Sequence, residues 1–454
     1  GDKSNAVKAL QKDIPTLMKD AQIPGLSIAL IENGRIIWEA GYGVSNADTR
    51  KPVTRMTIFE AASLTKVVTC YTVLKLVDQG KINLDTPLNK YLGNNYDVVN
   101  DDRINLITAR RVLTHSAGFP NWRNDGSKTL PINFNPGERF SYSGEGFVYL
   151  SRVAEKLTGM KFEDLVKRTV LEPLGMTSSN FTWVDSYKEI GAYRHDWSGK
   201  VSFRNEGRDP NAAASLRTTA EDYAKFMIAI MNGTGLKEST WNEMLKPQIA
   251  VNEKTAPGVD WGLGVGLEIT SGVKDFWHWG DQGDSKCYMT GYPDSKNGVV
   301  YFTNSNNGLS IVREILKDAL GGPHPAPDWL NYEKFNPALP VFYQAVLDKG
   351  AKNALDDYHD KLSKKQIQPI SESSLNSIGY VLLREKKIDD AILIFTENTK
   401  VFPESSNAWD SLAEGYMNKG ENELAIKYYQ KSLALNPDNN NATEMIKKIQ
   451  SGNK

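Results

Sequence analysis

Seven positions near the C-terminus recur at a single spacing. Leu375, Ile378, Gly379, Leu382, Ala391, Phe395 and Pro403 are matched, 34 residues later, by Trp409, Leu412, Ala413, Tyr416, Ala425, Tyr429 and Pro437. A unit of this length cannot enclose a core by itself, so each unit must bury its apolar face on the next. The small residues at Gly379/Ala413 and Ala391/Ala425 let paired helices approach, and each proline ends a unit. The chain after about residue 335 is therefore expected to be a stack of helix pairs. Because such stacks need about three units, residues 335–370 are expected to supply a degenerate first pair and 440–451 a capping helix.

The pattern resembles tetratricopeptide repeats. Upstream, the chain reads differently. Residues 6–20 are helix-like despite Pro15. Two strand-like runs, Gly25–Ile31 and Arg35–Gly41, flank Asn33-Gly34, a strong hairpin signal. Residues 64–80 read as an apolar helix stopped by Gly80. Strand patterns return near 262–270, 274–280, 285–291 and 298–304, and a helix at 308–320 ends at Gly321-Gly322. Strands at both ends with helices between them imply an α+β fold, an antiparallel sheet flanked by helices and interrupted by an all-α insertion. The expected domains are 1–322, with sheet parts at about 1–62 and 206–322 and the insertion at about 63–205, then a linker over 323–334 marked by Pro323, Pro325 and Pro327, then the repeat domain 335–454.

A net charge of −1 in 454 residues gives no basic surface for nucleic acid. No run of 18 or more apolar residues occurs, so no transmembrane segment is expected. Cys70 and Cys287 read as buried free thiols, with no disulfide framework. Five histidines without a cysteine cluster or a pair at helical spacing give no expected metal site, and no cofactor is expected.

Chemistry concentrates in Phe59–Lys66 (FEAASLTK). A serine is a poor nucleophile until a base takes its proton. A lysine three residues further along a helix lies on the same face, and burial lets it lose its charge. The S-x-x-K pattern occurs three times, at Ser63/Lys66, Ser271/Lys274 and Ser451/Lys454. The second falls in a hairpin and the third at a chain end, whereas Ser63 opens an apolar helix. Taken alone, Ser63 reads equally well as a helix cap.

Two further segments decide between these readings. Pro136–Gly144 (PGERFSYSG) precedes a helical stretch, Phe147–Thr158, and His278-Trp279-Gly280 sits on a late strand. With Ser63 and Lys66, these resemble the three motifs of the serine β-lactamase and penicillin-binding-protein superfamily, in its class C-like esterase and D-peptidase branch. Leu113–Pro120 (LTHSAGFP), Pro173–Met176 (PLGM) and Ala213–Ala220 (AASLRTTA) match the same superfamily. The resemblance spans roughly residues 6–322.

That resemblance implies roles. Ser63 attacks the substrate carbonyl and is acylated, and Lys66 and Tyr142 share proton transfer. The backbone N–H groups of Ser63 and Asp281 form the oxyanion hole. Gly280 lets substrate backbone lie against its strand. His278 stands where many members have lysine, so its charge toward a substrate carboxylate depends on pH. Gly144 stands where lactam-binding members carry asparagine. Both departures favour small esters or D-amino-acid-containing peptides over β-lactams.

The alternatives are a β-lactamase and, from another class, a non-catalytic scaffold that uses the repeat tail. The expected partners are a small-molecule or peptide substrate and, through the tail, a protein or a second copy of the chain. His115 is read as a structural loop residue. A signal peptide removed ahead of Gly1 is expected, and with it a periplasmic or extracellular location, with or without a lipid anchor.

Overall fold

The computed structural model describes residues 4–93, 96, 101–123 and 128–452. The chain divides into two compact units, Gly1–Phe335 and Asn336–Lys454.

The first unit is built on a nine-stranded antiparallel sheet. Its spatial order is Lys51–Pro52, Arg35–Asn46, Gly25–Glu32, Gly298–Thr303, Lys286–Gly291, Val273–Asp281, Gly266–Thr270, Val259–Trp261, Ile249–Ala250. The N-terminal hairpin turns at Asn33 and Gly34, both at positive φ. It then docks on the last strand, with Leu26 opposite Thr303 and Ile31 opposite Gly298. Strands from both ends of this unit thus complete one sheet, and the insertion between them packs on one face.

The helix Thr65–Asp78 lies at the heart of that face. Its apolar residues surround the whole circumference, and Val67, Val68, Tyr71, Val73 and Leu74 are fully buried. A helix that is apolar all round belongs in a core, not on a surface. On the other face, Asn5–Asp20 and Val312–Ala319 cover Leu26, Ile28, Trp277 and Tyr301. Pro15 sits inside the first of these helices without ending it.

The structure differs from the expected linker at 323–334. Pro325 opens a helical turn, Ala326–Leu330, and Ala326 is fully buried. The Ala326 N–H donates to Glu268 Oε1 (2.5 Å), and Arg313 donates to the carbonyls of Pro327 and Tyr332 (3.0 Å each). Prolines here fix helix-entry geometry instead of extending the chain. The segment is a strap of the first unit, and the division falls at Phe335, not at Gly322.

The second unit is helical throughout: Ala338–Ser363, broken at Gly350, then Glu372–Arg384, Ile388–Val401, Ser406–Lys419, Asn422–Leu435 and Asn440–Gln450. The 34-residue register is the packing register. Leu375, Ile378, Leu382, Ala391, Phe395, Leu412, Ala413, Ala425 and Tyr429 are all buried. A Cβ on Gly379 would meet the Phe395 ring at 2.2 Å, which explains the small residue there. Trp409 and Tyr416 both stack on Tyr428, as packing residues. Among the described residues, no helix of either unit is long and apolar enough to cross a membrane.

Candidate active site

Ser63 is presented by a strained turn between a strand and a helix. Phe59 and Glu60 pair with Thr218 and Arg217. Ala62 then takes φ of 47°, a left-handed value that costs a non-glycine residue about 1–3 kcal/mol. A 3₁₀ turn, Ala62–Leu64, runs on into the helix Thr65–Asp78. The turn is held by Thr65, whose hydroxyl donates to Ala62 O (2.6 Å) and accepts from Leu216 N–H (3.1 Å). Just upstream, Glu60 is gripped by Arg194 (2.5 and 2.6 Å), Arg217 (2.7 Å) and Asn205 (2.8 Å). Burial pushes its carboxyl up, but these partners together outweigh burial and hold it ionised.

Lys66 is buried, at 1% exposure, and among the described residues it pairs with no carboxylate. Its Nζ lies 2.9 Å from Ser63 Oγ and 3.0 Å from Ala213 O. Desolvation brings its pKa down to about 7. A neutral amine that donates to the Ala213 carbonyl keeps its lone pair for the Ser63 hydroxyl proton.

Tyr142 lies across this pair, with Lys66 Nζ 4.8 Å from its ring centre. Its buried hydroxyl makes no hydrogen bond of normal geometry. Burial pushes the phenol up, while the nearby Ser63 hydroxyl pulls it down by less. The His115 ring, 4.3 Å away, and the Trp279 ring, 4.7 Å away, fix the Tyr142 ring. His115 also accepts the Ser143 N–H at Nδ1 (3.0 Å), so it shapes the loop that carries the second motif. His195, which the sequence did not place, accepts from Ala47 N–H (3.0 Å) and donates to Asn304 O (2.9 Å), a clamp between segments.

Three expectations need correction. His278 does not face the cleft as a pH-dependent charge. It is fully buried among the rings of Tyr142, Trp261 and Trp279, and its Nδ1–H donates to Trp279 O (2.7 Å). Burial first, then the Lys66 charge, bring its pKa down to about 3. Accordingly, His278→Gln should leave the pH dependence of the ratio of KM values for a carboxylate-bearing and a neutral ester unchanged between pH 5 and 8, any step near pH 7 belonging to Lys66. A step near the ordinary imidazole pKa of ~6.5 that the substitution removes would restore the charged role.

Gly280, second, makes room for protein, not substrate. A Cβ there would meet Cys287 Sγ at 2.4 Å, Ala61 O at 2.8 Å and Ala62 Cβ at 2.9 Å. It is the seat of the nucleophile turn. Gly144, third, is the seat of Trp122, whose ring atoms lie 2.4–2.8 Å from where a Cβ would stand. The space an asparagine would need is filled by that indole, whose ring centre lies 5.9 Å from Lys66 Nζ. The Gly144 N–H donates to Asn121 Oδ1 (2.9 Å).

Asp281 ends the strand Val273–Asp281. Gln282 N–H bonds to Ser285 O across the turn. Alternation along the ladder therefore directs the Asp281 N–H away from the strand Lys286–Gly291, onto the edge that Gly266–Thr270 leaves unpaired beyond Trp277. The Asp281 carboxylate is held by Lys286 (2.7 Å) and by the Tyr332 hydroxyl (2.5 Å).

These groups open on a cleft of about 580 Å³ that includes Ser63, Lys66, Tyr142, Trp279 and Asp281. Sequence reasoning missed four of its walls: Asn121, Trp122, Arg194 and Gln282. Asn121-Trp122 directly follow the Leu113–Pro120 stretch, which was the available signal. Arg194 and Gln282 carried none, because their place depends on a relay from Glu60 through Arg194 and Gln282 to Ala214 O. Of the remaining S-x-x-K pairs, Ser271/Lys274 is not brought into such a site. Lys274 Nζ donates to Leu245 O, Ser271 is a turn residue at positive φ, and Lys454 lies outside the described residues.

The beta-lactamase family model matches residues 10–319, and a tetratricopeptide-repeat model matches residues 406–439. A beta-lactamase of Pseudomonas fluorescens is 26% identical over 271 residues, 57% of this chain and 73% of its own. The octameric penicillin-binding protein homologue from Pyrococcus abyssi superposes with a TM-score of 0.62 at 26% identity, covering 75% of this chain and 82% of that one. The D-alanine carboxypeptidase AmpC from Burkholderia cenocepacia shares the fold, with a TM-score of 0.59 at 20% identity, over 68% of this chain and 98% of that one.

Proposed function

The chain belongs to the beta-lactamase family, a family of serine hydrolases, and on that premise we propose that it hydrolyses small esters or D-amino-acid-containing peptides through an acyl-enzyme on Ser63. The observation that carries the reading is the 2.9 Å contact between Ser63 Oγ and a buried lysine with a pKa of about 7. Ser63 attacks the carbonyl as its proton passes to Lys66 Nζ. The oxyanion is received by the N–H groups of Ser63 and Asp281. Tyr142, kept un-ionised by burial, donates its phenol proton to the leaving group and is reprotonated by Lys66. Water then attacks the acyl-enzyme by the reverse route, and the acid is released. Parallel labelling with a fluorophosphonate and a fluorescent penicillin, read by intact mass, tests the reading. It fails if the fluorophosphonate leaves the chain unmodified or lands on another serine.

The base assignment has a pH signature. Lys66 is protonated below its lowered pKa and neutral above it. For a neutral ester, kcat/KM should rise about tenfold per pH unit below ~7 and level off above. A profile flat from pH 5 to 9 would remove Lys66 as the base.

Substrate preference follows from Gly144 and Trp122. No side-chain amide can stand at position 144 to hold a lactam's acylamide group, and one hydrogen bond, ~0.5–1.5 kcal/mol, is worth up to about tenfold. Short acyl nitrophenyl esters should therefore exceed cephalosporins in kcat/KM by about that factor or more. Efficient cephalosporin turnover without esterase activity would reverse the ranking and favour the β-lactamase reading. The tetratricopeptide match over 406–439 supports protein binding by the second unit, with self-association as the other form of it. A periplasmic or extracellular location belongs to the same proposal, and cell fractionation tests it.

A further inference from the structure

A second group of ionisable side chains lies on the same sheet, six residues or about 20 Å along the strand from Asp281. Glu268 and Asp275 stand directly opposite each other in the hairpin ladder, and both are buried, at 1% and 3% exposure. Two acids facing each other across a ladder destabilise it unless something positive lies between them. Among the described residues, no lysine or arginine pairs with either carboxylate. The partner is His324, from the strap, with Nδ1 3.1 Å from Glu268 Oε2 and 3.6 Å from Asp275 Oδ2.

The histidine's other nitrogen decides what it presents. His324 Nε2 lies 3.1 Å from Gly321 O, and a carbonyl only accepts, so Nε2 carries the hydrogen. Nδ1 is therefore the ring atom turned toward both carboxylates. The Tyr292 hydroxyl lies close to the Asp275 carboxylate, but among the described residues Asp275 Oδ1 makes no hydrogen bond of normal geometry. One ring nitrogen and two facing carboxylates, converging at these distances, form an arrangement that a metal ion satisfies. The N–H to a backbone carbonyl is the usual way a ligating histidine is oriented.

We propose that Glu268, Asp275 and His324 bind a divalent cation of the zinc class. Tetrahedral ligation at ~2.0–2.2 Å sets donor atoms about 3.3–3.6 Å apart. The observed 3.1 and 3.6 Å bracket that value, and all three donor atoms lie within 4.8 Å of one another. One imidazole and two carboxylates suit zinc or manganese better than calcium, which takes six or more oxygens. A cavity of about 400 Å³, lined by Asp275, Tyr292 and Gly321–Pro323, offers an approach and room for a water ligand. The ion pins the strap to the sheet. A few residues on, the strap sets Trp329 against Trp279 and Tyr332 on Asp281, so the site acts as a positioning device for the catalytic cleft. Spacing alone hid it, because the ligands come from two strands and a distant loop.

The test uses the full chain, stripped with a chelator and titrated with zinc chloride by calorimetry and thermal melting. One zinc per chain and a raised Tm are expected. Cobalt should give the visible absorption of a tetrahedral site, a readout independent of hydrolase activity. Asp275→Asn and His324→Gln should each weaken zinc binding by at least ~100-fold, with Glu268→Gln as the alternative should either fail to fold. The proposal is overturned if the wild-type chain binds no zinc, if chelation and zinc leave Tm unchanged because the cluster holds only protons, or if the variants bind as tightly as wild type.

Discussion

Ser63→Ala should lower kcat on a nitrophenyl ester by about four orders of magnitude or more, with the melting temperature nearly unchanged. The size follows from removing the covalent route altogether, since a knocked-out nucleophile leaves only the acceleration from binding and the oxyanion donors. The small effect on folding follows from the contacts. The Ser63 hydroxyl meets Lys66 Nζ, which keeps Ala213 O as a second partner, and the turn itself is held by Thr65 and by the Ala61 N–H to Leu216 O. Kinetics, melting and a fluorophosphonate mass map on both proteins make the measurement. A variant that retains wild-type turnover would end the acyl-enzyme reading on Ser63, whereas no turnover by either protein would leave the scaffold reading standing.

The candidate nucleophile is legible in the sequence because three short motifs mark it. Ser63 and Lys66 stand three residues apart, which alone left a helix cap equally open, and the resemblance of the segments around Tyr142 and His278 decided the reading. The repeat tail is legible for a related reason. Its contacts are between neighbouring units, so Gly379 and Phe395 report each other at short range. What the sequence misjudged depends on contacts between distant segments. His278 looks like a titrating group until the rings of Tyr142, Trp261 and Trp279 enclose it. Gly280 read as an opening for substrate, but the Ala61–Ala62 turn and Cys287 fill that space, and nothing local showed that Trp122 covers Gly144. The strap was the largest misjudgement. Three prolines in five residues carry no periodicity, and nothing local shows that Ala326 docks on Glu268 or that Tyr332 reaches Asp281.

The strap also decides where the chain can be cut. A chain ending at Phe335 is expected to fold, show its own melting transition and keep kcat/KM on a small ester within about threefold of the full protein. It retains every residue of the cleft and the whole core of the first unit. A chain ending at Gly322 should behave quite differently. It loses His324 and Ala326, which leaves the facing carboxylates of Glu268 and Asp275 buried without a partner. It loses Trp329, whose ring packs against Phe140, Trp277 and Trp279, and removing an aromatic side chain of this kind costs about 3–5 kcal/mol where it is well buried. It also loses the Tyr332 hydroxyl on Asp281, the residue whose N–H is to meet the oxyanion. The expected result for this shorter chain is aggregation, or a folded protein with activity reduced by ~100-fold or more. The comparison separates two questions that one truncation would confuse. If the 335-residue chain is folded and inactive, the repeat unit belongs to the catalytic machinery and not to a docking module. If the 322-residue chain is folded and fully active, the strap is a linker after all, and the positioning of Asp281 by Tyr332 has no consequence for catalysis.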